Sequence, residues 1–225
     1  MKLISFLMIA ILCSSCQTKA INTQGSYPEE WWKPVPKDSA PTWEILPQEA
    51  GPGEVILSKR NELGILSNFA PTPFELDGKK YASLEGFWQM MKYPENAQDE
   101  RLQNPKIQWP FTRDQVAHMT AFEAKNAGSK ANENMKKLGI DWVTYQGKKI
   151  SYYENAKGVF FRIIYSAEWA KLRQNPSVKE ILLKTGDLKL RPDHHQSLNS
   201  APAWRYNEIW MEIRTQVRNG LSPYQ

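Results

Sequence analysis

Three polar residues share one side of a short segment otherwise rich in aromatic and apolar side chains. They are Glu85, Gln89 and Lys92, in the run YASLEGFWQMMKYP at residues 81–94. At about 100° per residue of helix, Gln89 and Lys92 fall within about 40° of Glu85, while Leu84, Phe87 and Met91 cluster about 100–160° away. Trp88 lies between the two groups. A solvated face accounts for such a stripe, because a glutamate in a first turn offsets the helix dipole. A pocket wall accounts for it as well. A carboxylate beside an indole is partly desolvated, which raises its pKa and suits it to handling protons. Composition alone favours the solvated face.

A second stretch, GILSNFAP at residues 64–71, places Ser67 and Asn68 before Phe69. Short polar side chains of this kind are ordinary in turns. The functional reading is a ligand loop, in which backbone N–H groups and the Asn68 amide grip a polar ligand while Phe69 stacks. The neighbouring pair His194-His195 invites a metal reading. Adjacent histidines point in different directions on regular structure, and no third ligand stands at helical spacing, so a solvated loop is the simpler account and no metal is expected. His118 reads as a helix-surface or partly buried residue. Neither a nucleophile elbow nor a glycine-rich phosphate loop is present.

The elements that must position these residues follow from pattern. Val55–Leu57 reads as a strand. Residues 74–83 read as a hairpin turning at Asp77-Gly78. Ser83 caps a helix from Leu84, which Pro94 ends. Further helices are expected over Thr112–Met119, Ala121–Leu138, Tyr152–Gln174 and Pro176–Leu183, then a short strand at Leu188–Leu190. A loop over residues 192–203 leads to a last helix from Trp204 to Val217. The expected fold class is α+β: a compact, helix-dominated single domain with a small antiparallel sheet.

The chain has 225 residues and a net charge of +5, with nine tryptophans and no Lys/Arg-rich block. That length supports a core of useful size, and the mild positive charge fits an anionic ligand. Residues 1–16, MKLISFLMIAILCSSC, read as an export signal too short to span a membrane. Cys16 after small residues reads as a bacterial lipoprotein processing site, with Cys13 standing where leucine is usual. A plain secretory signal is the alternative. No cysteine occurs after Cys16, so the folded part has no disulfide, thiol nucleophile or thiolate ligand. Residues 17–53 are proline-rich and read as a tether. Trp31, Trp32 and Trp43 imply that its latter half lies along the domain in extended form. The domain proper is expected over residues 54–225.

The order of motifs is specific. It runs Leu66-Ser67-Asn68-Phe69, then Phe74 with Asp77-Gly78 and Tyr81, then Ser83-x-Glu85 with Gln89 and Lys92. This closely resembles the NADAR superfamily (NAD and ADP-ribose domain), which includes the YbiA-like enzymes. Trp142, the run EILLKTGDLKL at residues 180–190 and Met211–Arg214 extend the resemblance over residues 54 to 218. It implies a helix-rich α+β fold and cleavage of an N-glycosidic bond in a ribosylated substrate. Family substrates are riboflavin-pathway intermediates or ADP-ribosylated guanine, and no cofactor is involved. The family's key glutamate matches Glu85 and its tryptophan matches Trp142. Phe69, Trp88 and Trp142 are then candidates to stack on a base, Lys92 and Arg60 to meet phosphate, and Gln89 and Asn68 to orient the ligand.

Two departures matter. The family's Trp-Gly-x-Gly loop is absent, and its place is taken by Arg191-Pro192-Asp193-His194-His195 and QSLNSAPAW at residues 196–204. Asp193 is the candidate second acid. Gly86-Phe87 stand where His-Tyr are usual. The sequence therefore points to an exported N-glycosidase with Glu85 and Asp193 as catalytic residues. Its expected partner is a nucleotide-like or ADP-ribose-containing small molecule, with nucleic acid entering only as a modified substrate. Contact with membrane is through the Cys16 lipid alone. The rival reading is an envelope module that binds NAD or ADP-ribose without turnover.

Overall fold

The computed structural model describes residues 27–197 and 199–222. The expected signal, with Cys13 and Cys16, lies outside the described residues. Among the described residues, six α-helices and three two-stranded ladders surround a core that includes Trp31, Val55, Leu57, Phe87, Phe160 and Trp210.

Strand β1 (Glu54–Ile56) pairs in parallel with β6 (Lys189–Arg191), Ile56 opposite Arg191. Beyond this ladder the two strands exit side by side, which carries Lys59 to Asp193. The hairpin β2 (Phe74–Leu76)–β3 (Lys79–Tyr81) turns at Asp77-Gly78, with φ of 51° and 72°. Those are the positive values a two-residue turn requires. A second hairpin, β4 (Trp142–Tyr145)–β5 (Lys148–Ser151), turns at Gln146-Gly147 in the same way, with φ of 51° and 73°. The expected small antiparallel sheet is thus three separate ladders, one of them parallel.

Helix α1 (Leu84–Met90) is capped by the Ser83 hydroxyl, which accepts from Gly86 N at 2.9 Å. It is buried on every side. The expected stripe bordering a core face is therefore enclosed, and two glycines explain how. Gly86 lies against the carbonyls of Val116, Ala117 and Met119, where a Cβ would come 2.5 Å from the Met119 oxygen. This is the end of α2 (Arg113–Ala117), whose capping box joins Thr112 and Gln115. Gly128, in α3 (Ala121–Leu138), lies against the side-chain amide of Gln89. The small stripe Ala124, Ala127, Gly128 and Ala131 lets α3 close over the polar side of α1.

Helix α4 (Val159–Gln174) begins seven residues later than the pattern suggests, because β5 and its exit occupy that stretch. It is followed by α5 (Pro176–Lys184) and α6 (Tyr206–Arg218). Where an extended covering segment is expected before Glu54, the chain instead forms three short 3-10 turns. Trp31 in the first is fully buried and donates to Glu62 Oε1 at 2.8 Å. Trp32 Nε1 donates to the Glu54 carbonyl at 3.0 Å. Residues 27–53 are thus packed on the domain in part, through Trp31, Ile45 and Leu46.

Candidate functional site

A cavity of about 570 Å³ opens where α1, the Ser67–Phe69 loop, β5's exit and the loop after β6 meet. That volume lies within the range of small-molecule sites, about 300–1,000 Å³. Glu85, Asn68, Phe69, Trp88, Gln89 and Asp193 all line it.

Glu85 is only 8% exposed. Burial raises its pKa, against the hydrogen bond from Gln89 and the nearby ammonium groups of Lys92, Lys125 and Lys59. Gln89 Nε2 donates to Glu85 Oε1 at 2.8 Å, which leaves Oε2 for other work. Glu85 N donates to the Asn68 carbonyl at 2.9 Å. The loop that supplies this carbonyl is pinned from behind. Trp210 Nε1 donates to the Leu66 carbonyl at 2.7 Å, and Lys171 Nζ to the Ser67 carbonyl at 2.8 Å. Three consecutive carbonyls are thus held. The Oδ1 of Asn68 and the Oε1 of Gln89 are buried acceptors without a hydrogen-bond partner among the described residues. Buried acceptors of this kind suit ligand N–H or O–H donors.

Aromatic walls complete the cavity. Trp88 Nε1 donates to the Tyr152 hydroxyl at 2.8 Å, and Tyr152 packs on Trp204 with ring centroids 5.1 Å apart. Burial raises the Tyr152 pKa and keeps the phenol neutral, so its own proton remains to be donated.

Asp193 is almost fully buried, in an ion pair with Lys59 and 3.2 Å from His194 Nδ1. Burial pushes its pKa up, but the His194 and Lys59 contacts outweigh this, and the net shift is downward. Asp193 is therefore a carboxylate at neutral pH, with no proton to give. Its loop is tied to the N-terminal segment. Ile45 N donates to the Asp193 carbonyl at 2.9 Å, and Glu44 bridges to His194.

Three sequence candidates stand outside the lining. Lys92 is buried with its ammonium 4.8 Å from the Tyr152 ring, and burial lowers its pKa to about 8 although Glu85 opposes this. It acts on Glu85 as a nearby charge and is not placed to meet a phosphate in the cavity. Arg60 is committed to Glu44 through two hydrogen bonds of 2.7 Å. Trp142 lies between the Arg101 guanidinium at 4.9 Å and the Lys149 ammonium at 4.6 Å, away from the cavity. Conversely, Trp43, Lys59, Lys125, Tyr152, His194 and Tyr206 line the site without having been singled out for it. Their distant sequence positions give no local signal. Among the described residues no three His, Cys, Asp or Glu side chains converge as a metal site, and no helix is long and apolar enough to cross a membrane.

Fold and site together define a helix-dominated α+β protein with a buried carboxyl at the floor of an aromatic cavity. No family model matches the chain, and no curated protein matches it. Among solved structures, it is similar to the NMR structure of the E. coli protein YbiA, at 20% identity, 73% coverage of this chain, 86% of that chain and a TM-score of 0.46. The likeness concerns fold alone.

Proposed function

We propose that this protein hydrolyses an N-glycosidic bond in a ribosylated, phosphate-bearing, nucleotide-like substrate. The observation that carries the reading is Glu85, a buried carboxyl fixed by Gln89 and by the Asn68 carbonyl at the floor of an aromatic-lined cavity. It joins the motif resemblance, in which Glu85 takes the place of the key glutamate.

The chemistry follows. Breaking the C1′–N bond leaves the electron pair on the departing nitrogen and positive charge shared between C1′ and the ring oxygen. An ionised Glu85 stabilises that charge and takes a proton from the water whose oxygen bonds to C1′. The departing nitrogen needs a proton in return. His194, oriented by the Asp193 carboxylate, is our candidate donor, with the neutral Tyr152 phenol as a hydrogen-bond donor to the leaving group. Asn68 Oδ1, unpaired among the described residues, is an acceptor for a sugar hydroxyl or base N–H group. Trp88, Tyr152 and Trp204 supply ring surface for the base.

The test incubates wild type and Glu85→Gln with NAD, ADP-ribose, ADP-ribosylated guanosine and ribosylamino-pyrimidine phosphates. Mass spectrometry follows the free base, and thermal shift runs in parallel. Turnover by wild type alone is expected. Thermal stabilisation by a ligand with no turnover in either protein would replace the enzyme with a binding module, the reading that the missing Trp-Gly-x-Gly loop favours.

A further inference from the structure

Large aromatic side chains left in water forgo the free energy of burial, and a cluster of them usually has an occupant. Among the described residues three aromatic side chains are strongly exposed: Trp43 at 41%, Phe122 at 50% and Tyr153 at 56%. All three border the same cavity. Trp43 lines its mouth. Phe122 packs edge-on to Trp43 and to the lining Phe69, with centroids 6.4 and 5.1 Å away, and Tyr153 packs on the lining Trp204 at 5.5 Å.

Two cations stand over the first group. The Lys125 ammonium is 5.7 Å from the Trp43 ring, 5.8 Å from Phe69 and 6.0 Å from Phe122. Lys59 is 5.8 Å from Trp43 and 5.0 Å from Phe69, but it already answers Asp193. Lys125 forms no ion pair among the described residues, so its charge is available to an anion. The rings are held in place. Glu44, next to Trp43, takes both arms of Arg60, and the following Ile45 and Leu46 are buried. Phe122 follows Ala121, whose φ of 48° is a left-handed conformation that L side chains rarely adopt.

We propose that Trp43, Phe122 and Lys125 form a second binding subsite at the cavity mouth, which seats a planar ring carrying a phosphate outside the ribosyl portion of the ligand. Rings and a free ammonium on one rim match stacking and charge in one nucleotide. A nucleic-acid strand would call for a longer basic run, and the sequence has no Lys/Arg-rich block. Trp43 comes from the segment before Glu54, so that segment selects ligand as well as closing the fold. The proposal rests on reading the inner cavity as a ribosyl site, and its test is independent of turnover.

The full chain is titrated calorimetrically with adenosine 5′-monophosphate, adenosine and inorganic phosphate, as wild type, Lys125→Gln, Phe122→Ala and Trp43→Ala. The monophosphate is expected to bind more tightly than either fragment. Lys125→Gln and Phe122→Ala should each weaken it about tenfold. Lys125 and Phe122 are surface positions, and thermal melts confirm that these variants stay folded even if Trp43→Ala does not. Equal affinity in wild type, Lys125→Gln and Phe122→Ala overturns the subsite, as does absence of monophosphate binding. The expected pattern without turnover of any ribosylated compound leaves the subsite standing and removes the glycosidase.

Discussion

At the scale of single residues, the proposed chemistry turns on Glu85, whose neighbours shift its pKa. Replacing it by Gln should lower turnover by roughly 10²- to 10⁴-fold, the usual worth of a general base, with little loss in melting temperature. Burial raises its pKa above the ordinary 4.5. In the proposed hydrolysis the carboxylate is the active form, so kcat/KM should rise with pH along a limb lying above pH 4.5. Lys92 opposes the shift as a positive charge beside Glu85. Lys92→Met removes that charge, so the limb should move to still higher pH, and a pH–rate profile of the two proteins checks the direction. An unchanged limb would mean that another group titrates there.

At the scale of elements, the crossing of α1 and α3 controls the site through one glycine. A methyl at Gly128 would collide with the end of the Gln89 side chain. That side chain is flexible, so Gly128→Ala should displace its amide from Glu85 and leave the fold intact. Activity should fall by about tenfold, the worth of one hydrogen bond to a charged group, and the melting temperature should change little. Gly86→Ala is a different case. Its methyl would meet the backbone carbonyls of Val116 and Met119, which cannot swing away. It should lower stability by about 1–3 kcal/mol in a denaturant titration. The glycine that stands where the resemblance leads one to expect histidine is thus a packing requirement between α1 and α2.

At the scale of the whole molecule, the segment before Glu54 closes the core and shapes the cavity mouth. Trp31→Ala should cost about 3–5 kcal/mol of unfolding free energy, as large core truncations do, although it is remote from Glu85. Acid stability has its own anchor. Asp99 is pushed up by burial, but hydrogen bonds from Arg101 and from the backbone of Glu95 and Arg101 bring it down to about 2. A carboxyl held below its unfolded value of 3.8 stabilises the fold above that value. The contribution is lost as pH falls through about 2. Asp99→Asn should therefore lower the melting temperature near neutral pH and flatten its decline between pH 4 and pH 2.

Local chemistry was legible in the residues themselves. The Ser83 cap, the Asp77-Gly78 turn and the spacing of Glu85 and Gln89 depend on interactions within a few residues, and all three formed as expected. The hairpin over residues 142–151 was hidden because its alternation, Val143, Tyr145 and Ile150, is short and flanked by helix-forming sequence. Whether the polar stripe faced water or a pocket could not be read from α1, because the answer lay in α3. Only a small-residue stripe near 128 lets that helix cover it. The pairing of Lys59 with Asp193 was likewise out of reach, since it depends on a parallel register between strands more than a hundred residues apart. Sequence determined the local turns, caps and spacings, which short-range sterics and hydrogen bonds fix. Tertiary structure alone decided which charges meet, which are buried and which rings share a cavity, because those depend on contacts between segments remote in the chain.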